Sequence, residues 1–107
     1  METTMGTKIS FADAKRMMDT VPGLVVLDVR EEEEYITGHA VGAELLPVDE
    51  ITAESAAEKI PSPDTPVLVY CRSGARSAIA VEKLTALGYR DLYDVGGLVG
   101  WPYGLTV

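Results

Sequence analysis

Two short, uninterrupted apolar runs constrain the fold of this chain more than any other feature. They are Leu24 to Leu27 (LVVL) and Val67 to Tyr70 (VLVY). A strand that is apolar at every position is buried on both faces, as in a parallel sheet covered by helices. Proline-containing turns precede both runs and bound them. Weaker strand candidates are Thr7 to Ile9, Ala43 to Leu46 and Leu92 to Val95.

Helical patterns fall between the predicted strands, over residues 11–19, 53–60 and 77–87. Ser10 and Thr52 are suitable N-caps for the first two helices, and Gly88 suits a left-handed terminator of the third. Alternating strands and helices over 107 residues predict one α/β domain, residues 1–107, with a mostly parallel sheet.

The charge balance excludes several classes of partner. Nine Lys and Arg against 17 Asp and Glu give a net charge of -8, which disfavours binding to nucleic acid or to an anionic membrane. The acidic excess peaks at Glu31 to Glu34, where we expect a solvated loop or the start of a helix. No apolar run is long enough to span a bilayer, and the N-terminal residues lack the pattern of a signal peptide, which predicts a cytoplasmic protein.

Cys71 is the only cysteine in the sequence. A single cysteine excludes an internal disulfide, a CxxC redox pair and a zinc site with several thiolates, and we predict no metal and no cofactor. Cys71 directly follows the second apolar run, and the predicted helix begins immediately after Arg76. The carboxyl ends of strands are where open α/β sheets bind ligands, so this loop is the candidate site.

The loop between the strand and the helix has a composition that favours a reactive thiolate. A tight, glycine-containing turn into a helix directs backbone N–H groups toward one point, and the helix N-terminus adds partial positive charge. Two guanidinium groups would further stabilise a Cys71 thiolate. The predicted binding loop comprises Arg72, Ser73, Gly74, Ala75, Arg76 and Ser77.

The length of the loop separates two kinds of cysteine chemistry. Cysteine-dependent phosphatases place five residues between the cysteine and an arginine, and that count leads here to Ser77. Only four residues separate Cys71 from Arg76, so the cradle is better matched to one terminal sulfur, a persulfide, than to a phosphate.

Four segments of the sequence form a recognisable set: Leu27-Asp28-Val29-Arg30 with Glu34-Tyr35, Gly38-His39-Ala40 through Gly42-Ala43 to Pro47, Tyr70 through Ser77, and Gly96-Gly97 with Trp101. In this order they resemble the single-domain rhodanese-like sulfurtransferases. The resemblance implies a three-layer α/β/α domain whose five-stranded sheet has the order 1-5-4-2-3. It also implies that Cys71 takes a sulfane sulfur from thiosulfate or a persulfide and passes it to cyanide, to a thiol or to a protein acceptor. The backbone N–H groups of the loop would hold the persulfide, and the arginines would attract the anionic donor.

Three further residues are placed by the same resemblance. Asp28 and Arg30 lie at the carboxyl end of a strand on the rim that carries Cys71, where an ion pair or a helix cap is favoured over contact with substrate. His39 is expected to be a hydrogen-bonded structural residue. Two alternatives stay open: a binding or regulatory module that uses the loop to dock a partner and, less favoured, a cysteine-dependent phosphatase or arsenate reductase.

Overall fold

The computed structural model describes residues 6–107. Within these residues, five strands and four helices alternate, with a short 3₁₀ turn at Val48–Glu50. The strands are β1 (Thr7–Lys8), β2 (Val25–Asp28), β3 (Glu44–Leu45), β4 (Val67–Cys71) and β5 (Leu92–Gly97). The helices are α1 (Phe11–Thr20), α2 (Glu32–Thr37), α3 (Ala53–Lys59) and α4 (Ala75–Ala86).

The five strands form one parallel sheet in the order β1-β5-β4-β2-β3. This confirms the order implied by the family resemblance. Strand β4 lies at the centre, and its end residue Cys71 is paired with Gly97 of β5. The register of β5 against β4 shifts between Val69 and Tyr70, so a bulge precedes the pairing at the cysteine.

Two apolar clusters, one on each face of the sheet, confirm the three-layer architecture. Alternate residues of the central strands point to opposite faces, because side chains in a strand alternate with a period of two. On one face, Leu27 and Val69 pack with Ala56 of α3 and Leu84 of α4. The other cluster contains Val26, Leu68, Tyr70 and Ala14 of α1, with Met17, Met18 and Trp101 packed against it.

The predicted helix ends are reproduced where capping residues mark them. The Ser10 side chain accepts from the Asp13 N–H at 3.1 Å, and Thr52 forms a reciprocal capping box with Ser55. Gly88 follows α4 with a φ of 102°, the left-handed conformation expected for a terminator.

The start of the last helix differs from the sequence prediction. Helix α4 begins at Ala75, not Ser77, because Gly74 adopts a left-handed conformation at the N-cap and completes the turn early. The loop therefore has only three residues, Arg72 to Gly74, and Arg76 and Ser77 belong to the first turn of α4. The acidic run supplies the N-cap, Glu31, and the first three of the six residues of α2, in agreement with the expected start of a helix.

Within residues 6–107, no helix has the length and apolar character needed to cross a membrane. The predicted absence of a signal peptide depends partly on residues 1–5, which lie outside the described residues.

Candidate active site

Cys71 lies at the carboxyl end of the central strand with its side chain fully buried. Its Sγ accepts a hydrogen bond from the Gly74 N–H at 2.9 Å. Gly74 is also the N-cap of α4, and as a glycine it has no side chain that could cap the helix. The sulfur is therefore held beside the N-terminus of a twelve-residue helix, where the helix dipole favours negative charge.

Strand β5 closes the other side of the loop. The Leu98 N–H donates to the Cys71 carbonyl at 3.0 Å, directly after the Cys71–Gly97 pair. A β-carbon on Gly97 would lie 2.3 Å from the Arg72 carbonyl oxygen, so the backbone of β5 passes against the loop where only glycine fits. The Gly96-Gly97 pair therefore allows β5 to brace the cysteine loop.

Ser77, the last residue of the predicted binding set, is fully buried and faces β5. Its Oγ lies 2.8 Å from Asp94 Oδ1 and 3.0 Å from the Gly74 carbonyl oxygen. The same Asp94 oxygen accepts the Gly96 N–H at 2.8 Å. Asp94 thus links α4 to β5, a role that the sequence analysis missed. The available signal was a carboxylate inside an otherwise apolar strand.

Arg76 is held by a bidentate ion pair with Glu34 of α2. Its Nη1 and Nη2 donate to the two carboxylate oxygens at 2.6 and 3.0 Å. The hydrogen bonds from Arg76, with a further one from the Glu31 backbone, lower the pKa of Glu34 to about 2. The pKa of Arg76 is raised, chiefly by its hydrogen bond to Glu34. Sequence reasoning did not assign Glu34 to the site.

Arg72 is exposed and lines an open cleft of about 200 Å³ beside the cysteine loop. In residues 6–107, no carboxylate lies within ion-pair distance of Arg72. The other lining residues are Arg30, Glu34, Thr37, Leu98, Val99 and Leu105.

Asp28 and Arg30 form the ion pair that the sequence suggested for them. Arg30 donates to the fully buried Asp28 carboxylate, with an Nη2–Oδ2 distance of 2.6 Å, and also to the Gly38 carbonyl at 2.7 Å. The Tyr70 hydroxyl donates to the same carboxylate at 2.7 Å. The hydrogen bond to Asp28 raises the pKa of Arg30, and burial is the main cause of a raised Tyr70 pKa. Arg30 therefore reaches the cleft wall with its charge already balanced.

His39 makes structural contacts. Its Nδ1 lies 3.0 Å from the Tyr35 carbonyl oxygen, and its ring stacks on the Tyr35 ring with 3.8 Å between centroids. Its backbone exchanges two hydrogen bonds of 2.8 Å with Thr106. These contacts attach the C-terminal segment, which includes Leu105 of the cleft wall, to the loop after α2.

These features define a class of protein: a parallel α/β domain with a cysteine loop at the carboxyl end of its central strand. The family model described as a rhodanese-like domain matches residues 10–102, and the chain belongs to that family.

Comparisons with individual proteins agree with this assignment. Thiosulfate sulfurtransferase GlpE of Tolumonas auensis is 33% identical, with 94% of this chain and 96% of the relative covered. The probable adenylyltransferase/sulfurtransferase MoeZ of Mycobacterium tuberculosis is 32% identical, but the chain spans only 26% of its length. The crystal structure of a rhodanese-related protein from Thermoplasma volcanium is 32% identical, has a TM-score of 0.76, and is matched over 94% of this chain and 97% of that one.

Proposed function

We propose that the protein is a sulfurtransferase that carries sulfane sulfur as a persulfide on Cys71. The observation that carries the proposal is the position of Sγ, which accepts the Gly74 N–H beside the N-terminus of α4. Hydrogen-bond donors and a helix N-terminus favour a thiolate over a thiol. The similarity to proteins named as sulfurtransferases supports the same chemistry.

In the first step, the Cys71 thiolate attacks the outer sulfur of a donor such as thiosulfate. A sulfur–sulfur bond forms at Sγ, the sulfur–sulfur bond of thiosulfate breaks, and sulfite leaves with the electron pair. The charge is unchanged, since a thiolate and a dianion give an anionic persulfide and sulfite dianion. No proton moves in this step, so no general base is required.

In the second step, a nucleophilic acceptor attacks the outer sulfur of the persulfide. Cyanide leaves as thiocyanate, and a thiolate leaves as a new persulfide, with the Cys71 thiolate regenerated in both cases. Because Cys71 is the only cysteine in the sequence, a thiol acceptor comes from a small molecule or another protein. The Gly74 N–H and the N-terminus of α4 stabilise the negative charge on sulfur through both steps.

The test is intact mass spectrometry of the reduced protein before and after thiosulfate. The expected result is a gain of one sulfur atom on Cys71 that cyanide removes with release of thiocyanate. Cys71→Ser is the matched control, because its hydroxyl can still accept the Gly74 N–H while forming no persulfide. Absence of sulfur uptake from thiosulfate and from organic persulfides alike would overturn the proposal.

A further inference from the structure

Two of the three arginines at or near the cleft form ion pairs with carboxylates of the protein. The Arg30 guanidinium is balanced by Asp28, and the Arg76 guanidinium is balanced by Glu34. Arg72 is left as the cleft cation that no carboxylate among the described residues balances. Arg30 and Arg72 line the cleft, and Arg76 lies behind Glu34 of the cleft wall, so the cleft presents about one net positive charge to an entering donor.

Glu34 is the residue that keeps this net charge low. Its Oε1 accepts Arg76 Nη1 at 2.6 Å and the Glu31 N–H at 2.9 Å, while Oε2 accepts Arg76 Nη2 at 3.0 Å. Its side chain is 26% exposed and lines the cleft. An entering ligand thus meets a fixed carboxylate, and the nearby guanidinium of Arg76 is already occupied.

A carboxylate in this position affects donors according to their charge. Each negative charge on a ligand is repelled by Glu34 and loses the attraction that an unpaired Arg76 would supply. One unit charge acting on another at ~4 Å in water changes binding about fivefold, or ~1 kcal/mol. A dianion therefore loses about fivefold more affinity than a monoanion of the same shape.

We propose that Glu34 is a specificity-determining residue that neutralises Arg76 and so selects donors with no more than one negative charge over dianions. The proposal rests on the sulfurtransferase function above and names the donor class: organic persulfides and thiosulfonates rather than inorganic thiosulfate. Thiosulfate still binds through Arg72, but less tightly than the number of arginines would suggest.

The experiment compares two donors that share a sulfane sulfur on a sulfonyl group and differ by one charge, thiosulfate and methanethiosulfonate. Their dissociation constants are measured by titration calorimetry in a Cys71→Ala background, where no sulfur is transferred. Glu34→Gln is added to this background. Glutamine keeps the side-chain acceptor that caps α2, so the substitution removes charge while preserving the helix start.

Glu34→Gln is expected to shift the ratio of the two dissociation constants about fivefold in favour of thiosulfate. Adding Arg76→Gln to the same protein should return the ratio to the starting value. Glu33→Gln is the matched control, since it removes the same charge from an exposed neighbour and should leave the ratio unchanged within about twofold.

The proposal would be overturned if Glu34→Gln left the ratio of the two dissociation constants unchanged or shifted it in favour of methanethiosulfonate. Either result would show that Glu34 only braces Arg76. Failure of the function is detected separately, by absence of a persulfide on the unaltered protein. The calorimetry needs no sulfur transfer, so either result can be obtained without the other.

Discussion

Gly97 and Arg72 lie against each other across the end of the sheet. A β-carbon on Gly97 would be 2.3 Å from the Arg72 carbonyl oxygen and 2.8 Å from the Ser73 α-carbon. Both are backbone atoms, so the contact cannot be relieved by rotating a side chain. The shape of the cysteine loop is thus set by the bare backbone of β5 as well as by the residues of the loop.

Gly97→Ala should therefore displace the loop. We expect a loss of ~1–3 kcal/mol in the free energy of unfolding from overpacking, and a fall of about tenfold or more in sulfur transfer, because small displacements at a reacting group are costly. Urea denaturation and thiocyanate release measure the two effects.

Gly23→Ala provides a control for the added methyl group. Gly23 has a φ of 76° and no heavy atom near its would-be β-carbon, so alanine costs ~1–2 kcal/mol from the left-handed backbone alone. Its sulfur transfer should match the parent. Equal activity of Gly97→Ala and Gly23→Ala would contradict the role assigned to β5.

A second prediction concerns the contribution of the buried Ser77–Asp94 contact to stability. Ser77→Ala removes the hydroxyl that lies 2.8 Å from Asp94 Oδ1. The Asp94 carboxylate, which is only 6% exposed, then has one hydrogen-bond donor fewer. The expected loss is ~1–3 kcal/mol in the free energy of unfolding. A double-mutant cycle with Asp94→Ala should give a coupling energy above ~0.5 kcal/mol, whereas additive losses would rule out a direct interaction.

The sequence predicted the parts of the fold whose signal is local. The LVVL and VLVY runs are apolar at every position and became β2 and β4 within one residue at each end. Helix α2 was predicted only as a solvated loop or the start of a helix, because a six-residue helix with three glutamates in its first turn has no apolar stripe to mark it. The start of α4 was missed because the left-handed turn at Gly74 has no periodic signal.

The candidate site shows the same division. The position of Cys71 between a buried strand and a helix was predicted, because strand, cysteine, glycine and helix are consecutive in the sequence. The partners of the loop were not, since Glu34 pairs with Arg76 across 42 positions and Asp94 with Ser77 across 17. Which carboxylate neutralises which arginine depends on the packing of α2 and β5 against the loop. No sequence spacing encodes that packing.

A third prediction concerns Tyr70, which contacts Asp28, the ion-pair partner of Arg30. Its buried hydroxyl donates to Asp28 and accepts the Ala40 N–H at 3.0 Å. Tyr70→Phe leaves both groups without this partner, with an expected loss of ~1–3 kcal/mol in the free energy of unfolding. Tyr103→Phe is the control, because that side chain is 41% exposed and should change stability by less than ~0.5 kcal/mol. Equal losses in the two variants would contradict the network.

The Glu34–Arg76 ion pair predicts a pH dependence of stability with a definite sign. Its hydrogen bonds lower the pKa of Glu34 from an ordinary 4.5 to about 2 in the folded protein. A depressed carboxyl pKa stabilises the folded state above the unfolded value, and that stabilisation is lost as the pH falls from 4.5 toward 2. Because the pair is partly exposed, its contribution at neutral pH is ~1 kcal/mol or less.

The measurement is the difference in unfolding free energy between the parent and Glu34→Gln, obtained by urea denaturation at several pH values. Taking a difference cancels the other carboxylates, which titrate in both proteins. The difference should be constant above the ordinary carboxyl pKa and shrink as the pH falls below it, while Glu33→Gln should show no such shrinkage. A difference that grows on acidification would mean that Glu34 is destabilised as a carboxylate, the opposite of what its contacts with Arg76 and the Glu31 N–H require.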